Sequence, residues 1–93
     1  MNKYQNNGLV EPMDAIILLN DNYIHYNLKS GFIGVVVDNF IKTRGFVLAD
    51  FFHPFTGEDI CVQAEIKKED FRVISNSIND QRKVKEFKDL FNH

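Results

Sequence analysis

The chain has 93 residues, 44% of them hydrophobic, and a net charge of −2, which bounds it to a single domain-sized core. Nine Phe and three Tyr supply apolar area per residue, and the one cysteine, Cys61, has no partner for an internal disulfide. No run reaches the ~20 apolar residues of a membrane span, no signal-peptide core opens the chain, and no strongly basic footprint marks it, so a cytoplasmic protein without membrane contact is the expectation.

Residues 1–12 are polar, contain Gly8 and Pro12, and read as a flexible arm. Residues 13–74 carry the strand signals. A-I-I-L-L from Ala15 is an apolar run of strand length, closed by the turn cluster N-D-N. Y-I-H-Y-N-L alternates irregularly and reads as a structured loop that ends in L-K-S-G, where Gly31 is expected at positive φ. F-I-G-V-V-V-D-N-F is a β-rich strand, and Gly34 within it marks a bulge, a bend or the close approach of other atoms. I-K-T-R-G is a connection, F-V-L-A-D-F-F a strand, and H-P-F-T-G-E-D a hairpin loop. I-C-V-Q-A-E-I has the cleanest period of two, which places Ile60, Val62, Ala64 and Ile66 inward and Cys61, Gln63 and Glu65 outward. K-K-E-D is a charged turn and F-R-V-I a short closing strand, making five short strands in all, the pattern of a small β-barrel.

Residues 75–93 change period. Val84, Phe87, Leu90 and Phe91 share one helical face, Arg82, Lys83, Lys85 and Lys88 lie among the polar positions, and Ser77, Asn79 or Asp80 can cap the start. This amphipathic helix must cover a surface, either of the barrel or of a dimer or other partner.

The residue types of a catalytic centre do not converge in the sequence. His25, His53 and His93 lack metal-ligand spacing, Ser30, Ser75 and Ser77 lack a nucleophile context, and G-F-I-G is not a phosphate loop. The carboxylate pairs Glu58–Asp59 and Glu69–Asp70 fall in turns and are expected to face solvent. The expectation is therefore a non-enzyme with no cofactor or metal. Tyr23, Tyr26, Phe40, Phe52 and Phe55 lie in or beside loops, where aromatic rings either anchor a partner or cap the barrel ends. Asp38, Asp50, Glu58, Asp59 and Glu65 are acidic residues placed to share one side, as a partner-facing or a merely solvated face. The candidate partner-binding set is Tyr23, Tyr26, Asp38, Phe40, Asp50, Phe55, Glu58 and Asp59. Residues 14–74 hold nine acidic and six basic side chains, which argues against nucleic acid.

The order D-A-I-I-L-L, L-K-S-G, F-I-G-V-V-V-D, V-L-A-D-F, a Gly turn, I-C-V-Q-A-E-I and E-D-F-R-V-I resembles a family of short bacterial domains of unknown function with an SH3-like barrel. Asp14, Leu28, Gly31, Gly34, Val36, Val37, Phe51 and Asp70 fall on that family's pattern. Asp50 stands where it has Glu, Ala49 where it has Val, and Phe71 where it has Leu. The resemblance spans residues 14–74 and implies a mainly β, five-stranded SH3-like barrel, here followed by a C-terminal helix. Some members are similar to immunity proteins encoded beside secreted-toxin genes. The function so implied is stoichiometric binding of a cognate toxin by a monomer or homodimer. An RNA- or ribosome-associated KOW- or Tudor-like barrel using Lys29, Lys42, Arg44 and the helix cations is one alternative, and an oligomerising domain is another.

Overall fold

The computed structural model describes residues 10–92. Five strands, β1 (Ala15–Leu18), β2 (Ile33–Phe40), β3 (Phe46–Phe52), β4 (Asp59–Lys67) and β5 (Phe71–Val73), form one antiparallel sheet in the order β4-β3-β2-β1-β5. A single helical turn, α1 (Ile41–Arg44), joins β2 to β3, and α2 (Ile78–Asp89) ends the chain. Each strand lies where the apolar pattern places one. The inner face gathers Ile16, Leu18, Val36, Val47, Ala49, Phe51, Ile66 and Phe71, all essentially buried. Buried and more exposed residues alternate along β3 and the first half of β2, as a half-wet sheet requires, whereas in β1 Ile17 is buried as well.

Two glycines shape the entry to β2. Gly31 is the third residue of a turn closed by the Phe32 amide donating to the Lys29 carbonyl at 3.0 Å, and its φ of 90° is the conformation expected for it. Gly34 is different, because its backbone is unremarkable and its neighbours are close. A Cβ there would lie 2.7 Å from the Phe51 ring and 2.8 Å from the Asp50 carbonyl oxygen. The missing side chain lets Phe51 fill the centre of the sheet's inner face.

The alternation expected along β4 is broken. Ala64 pairs with Ala49 and Cys61 with Phe51, so Val62 and Gln63 together face the single residue Asp50. This extra residue turns Val62 outward, 52% exposed, while Ala64 and Ile66 remain inside and Ile60 and Cys61 pack partly against the core. Gln63 takes up φ 54° at the bulge, and the Asp50 carboxylate accepts its backbone N–H at 2.8 Å. A second register shift follows between Phe51 and Phe52, and another on the β2 side at Val37. Bulges bend a strand and raise its twist, so β3 is flanked by bends on both sides.

The arm is not wholly loose. Val10 is buried in the core, and its carbonyl accepts from the Asn39 side-chain amide at 2.8 Å, while residues 1–9 lie outside the described segment. At the other end, α2 docks through Phe87, and Phe91 just beyond it joins the contact, their rings standing 5.5 and 5.7 Å from Phe32. Leu90, expected on the docking face, is 53% exposed. Of the possible caps, Ser77 serves, its hydroxyl accepting the Asp80 N–H at 3.1 Å. Asp80 then receives both guanidinium nitrogens of Arg72, at 2.6 and 3.0 Å, with the Ser75 amide and hydroxyl. The Arg72 hydrogen bonds hold the Asp80 carboxyl well below the usual carboxylate range, against the opposing effect of burial.

Gly34→Ala is expected to lower stability by about 1–3 kcal/mol, measured as a shift in urea midpoint, because the core must open around Phe51. Val62→Asp should change stability by less than about 0.5 kcal/mol in the same measurement, since the side chain reaches water. The folded Asp80 carboxyl titrates below its unfolded value, so its contribution is complete above about pH 4 and lost as pH falls further. Asp80→Asn should therefore cost about 2–3 kcal/mol at pH 7 and distinctly less at pH 3, and a gap that persists in acid would contradict this role.

Candidate functional site

Between β1 and β2 the chain makes a long excursion, residues 19–32, which is held at several points. The Gly31 amide donates to the Leu18 carbonyl and the Ser30 amide to the Asp21 carboxylate, at 2.9 and 2.7 Å. In the middle, Ile24–Tyr26 form one 3-10 turn that ends with Asn27 at φ 67°, a left-handed position Asn tolerates. The Tyr26 and Leu28 amides both donate to the Tyr23 carbonyl.

Asp70 is the anchor of this loop. It closes the 3-10 turn after β4, where a carboxylate was expected to face solvent, yet it is only 6% exposed. The Tyr23 hydroxyl donates to its Oδ2 at 2.6 Å, and the side-chain amides of Asn20 and Asn22 donate to Oδ1 at 2.9 and 3.3 Å. The Lys67 amide donates back to the Tyr23 oxygen at 2.9 Å. Burial alone would raise the Asp70 carboxyl. The hydrogen bonds from Tyr23, Asn20 and Asn22, with the nearby Lys67 charge, outweigh it and hold the carboxyl below its ordinary value. Burial, and then the hydrogen bond to Asp70, push the Tyr23 phenol well above its ordinary value, so it stays a donor.

The latched loop stands against the end of β4 and encloses an open cleft of about 600 Å³, lined by Asn22, Tyr23, His25, Tyr26, Glu65, Lys67, Glu69 and Asp70. Its wall is aromatic. Tyr23 and Tyr26 lie nearly parallel at 16°, ring centres 6.2 Å apart, and the His25 ring sits 4.2 Å from Tyr26. Its rim is acidic, with Glu65 and Glu69 exposed and the Lys67 ammonium as the one cation among the lining residues.

Of the candidate binding residues, the cleft takes Tyr23 and Tyr26. Tyr23 is a core residue at 6% exposure that also lines the cleft. Asp50 is occupied at the β4 bulge and Asp38 accepts the Asn39 amide. Phe40 packs on Phe46 at 5.6 Å, beside α1. Phe55, 57% exposed, and Glu58 belong to the β3–β4 hairpin loop, where His53 Nδ1 accepts the amides of Phe55 and Thr56 and the Glu58 carbonyl accepts the His53 amide. Asp59 follows at the exposed start of β4. These residues lie on β2, β3, the hairpin loop and the start of β4, and none of them is among the residues that line the cleft. His25, Glu65, Glu69 and Asp70 complete it instead. Cys61 is half-buried, and burial, followed by the Asp50 charge, pushes its thiol up, away from a reactive thiolate. Among the described residues no helix is long and apolar enough to cross a membrane.

Comparison with known proteins finds no protein-family model, curated protein or solved structure that matches the chain.

Tyr23→Phe removes the shortest bond to Asp70 and orphans the Lys67 amide. It should cost about 1–3 kcal/mol in denaturant unfolding and speed amide exchange at Lys67 and through residues 22–28. Unchanged exchange there would mean that the hydroxyl does not hold the loop.

Proposed function

We propose that the chain is a small non-catalytic protein-binding module, an immunity protein that neutralises a cognate bacterial toxin by stoichiometric binding. In this reading the five strands curl into an SH3-like barrel. Support for the barrel comes from the strand order, in which β1 lies between β2 and β5, and from the register shifts on both sides of β3. The observation that carries the binding role is the cleft. A loop rigidly latched through Asp70 presents aromatic rings beside exposed carboxylates, and preorganised aromatic anchors with complementary charge are what tight protein recognition uses.

The rival with an observation behind it is RNA binding, since Arg82, Lys83, Lys85 and Lys88 of α2 are all exposed. Lys85 is paired with Asp89 at 3.1 Å, and the acidic cleft would repel a phosphate backbone. The two readings separate cleanly in solution. The protein should form a 1:1 complex with the product of its neighbouring toxin gene and restore growth to cells making that toxin. A nucleic-acid complex would instead weaken about a thousandfold between 50 and 200 mM salt if six or more phosphates were engaged. Micromolar RNA binding abolished by reversing the four helix cations, with no growth rescue, would overturn the proposal.

A further inference from the structure

We infer that the cleft receives an arginine side chain of the bound protein, an inference that rests on the protein-binding reading and assigns its chemistry. The lining residues carry three carboxylates, Glu65, Glu69 and Asp70, against the single ammonium of Lys67. Asp70 spends its oxygens on Tyr23, Asn20 and Asn22 and acts on an occupant only through its charge. Glu65 and Glu69 are exposed, and among the described residues neither makes an ion pair. They are the acceptors left for a ligand.

The ring wall selects among cations. Tyr26 is half-buried and lines the cleft together with Tyr23, whose ring lies nearly parallel to its own, and with His25, whose ring centre is 4.2 Å away. A guanidinium is planar and weakly hydrated, stacks on an aromatic face, and keeps its edge N–H groups free to bond carboxylates. An ammonium satisfies the charge but gains less from stacking and holds its water more tightly. The cleft is open rather than enclosing, which suits one side chain projecting from a protein surface better than a small molecule that must be surrounded. Lys67 opposes any cation, so it sets a ceiling on affinity.

The test uses the whole chain and acetyl-Gly-Arg-Gly-amide as probe, followed by NMR at low ionic strength. Saturable shifts of the Tyr26 and His25 ring signals are expected, with a Kd of about 1–10 mM, the range open to a single side chain. The lysine analogue should bind several-fold more weakly, and the citrulline analogue, neutral but equal in shape, about tenfold more weakly or worse. Glu65→Gln with Glu69→Gln should abolish the shifts without altering the fold, because both side chains are exposed. Lys67→Gln should tighten binding several-fold. Equal binding of citrulline and arginine, or no ring shifts at saturating probe, overturns the inference. Should the toxin complex form undiminished in the Glu65/Glu69 double variant, this assignment fails while the binding function stands. Should arginine bind selectively while no toxin complex forms, the cleft chemistry stands and the immunity reading fails.

Discussion

A carboxylate at 6% exposure survives as a charge only if its lone pairs are satisfied, and the Asp70 carboxylate is satisfied from one loop. Tyr23, Asn20 and Asn22 lie within four residues of one another and some fifty from Asp70 in sequence, and all three donate to it. The Leu19 amide adds a bond to the Asp70 carbonyl at 2.9 Å. One residue in a tight turn therefore ties the end of β1 and the start of the loop that leaves it to the turn after β4. A polar network of this kind stabilises the fold only when complete, which gives the loop one geometry rather than many.

The aspartates divide the work differently from the glutamates. Asp14, Asp21, Asp38 and Asp50 each accept a backbone amide, from Glu11, Ser30, Asn39 and Gln63, and Asp80 accepts the Ser75 amide beside its Arg72 pair. The short side chain keeps the carboxylate near its own backbone, where turns and bulges leave unpaired N–H groups. Glu65 and Glu69, longer by one methylene, reach past the backbone to the rim of the cleft. A count of acidic residues on one side of the sheet thus overstates the hydrogen-bond acceptors a partner can meet, because several of those carboxylates already hold backbone amides while keeping their charge.

Much of the fold was legible in the sequence. β-rich runs bounded by turn residues located the strands, Gly31 marked its turn, and the spacing of Phe87 and Phe91 marked the docking face of α2. What escaped has a common physical origin. Period-two alternation assumes an uninterrupted ladder, and the bulge at Val62 and Gln63 shifts it by one residue with no composition signal beyond an ordinary V-Q pair. Val10 sits in a polar stretch and is drawn into the core by contacts formed only after folding. The candidate site was legible in part. Loop aromatics pointed to Tyr23 and Tyr26, but Asp70 looked like a solvated turn residue because its three donors are remote in sequence. Only an excess of Asn in the loop that follows β1 hinted that a buried acceptor needed amides.

The join between the cleft and the helix is the three-residue strand β5. Asp70 immediately precedes it and holds the loop, while Arg72 within it holds Asp80 at the start of α2. Phe71 between them is 2% exposed, and β5 pairs with β1 through Ile16, Ile17 and Leu18. Loop and helix are therefore tied to the same short ladder by two aspartates ten residues apart. Both carboxyls titrate below their ordinary value in the folded protein, so both contributions are present at neutral pH and decline together below about pH 4. Acid therefore weakens the loop's tie to β5 and the helix's tie to it over the same pH range.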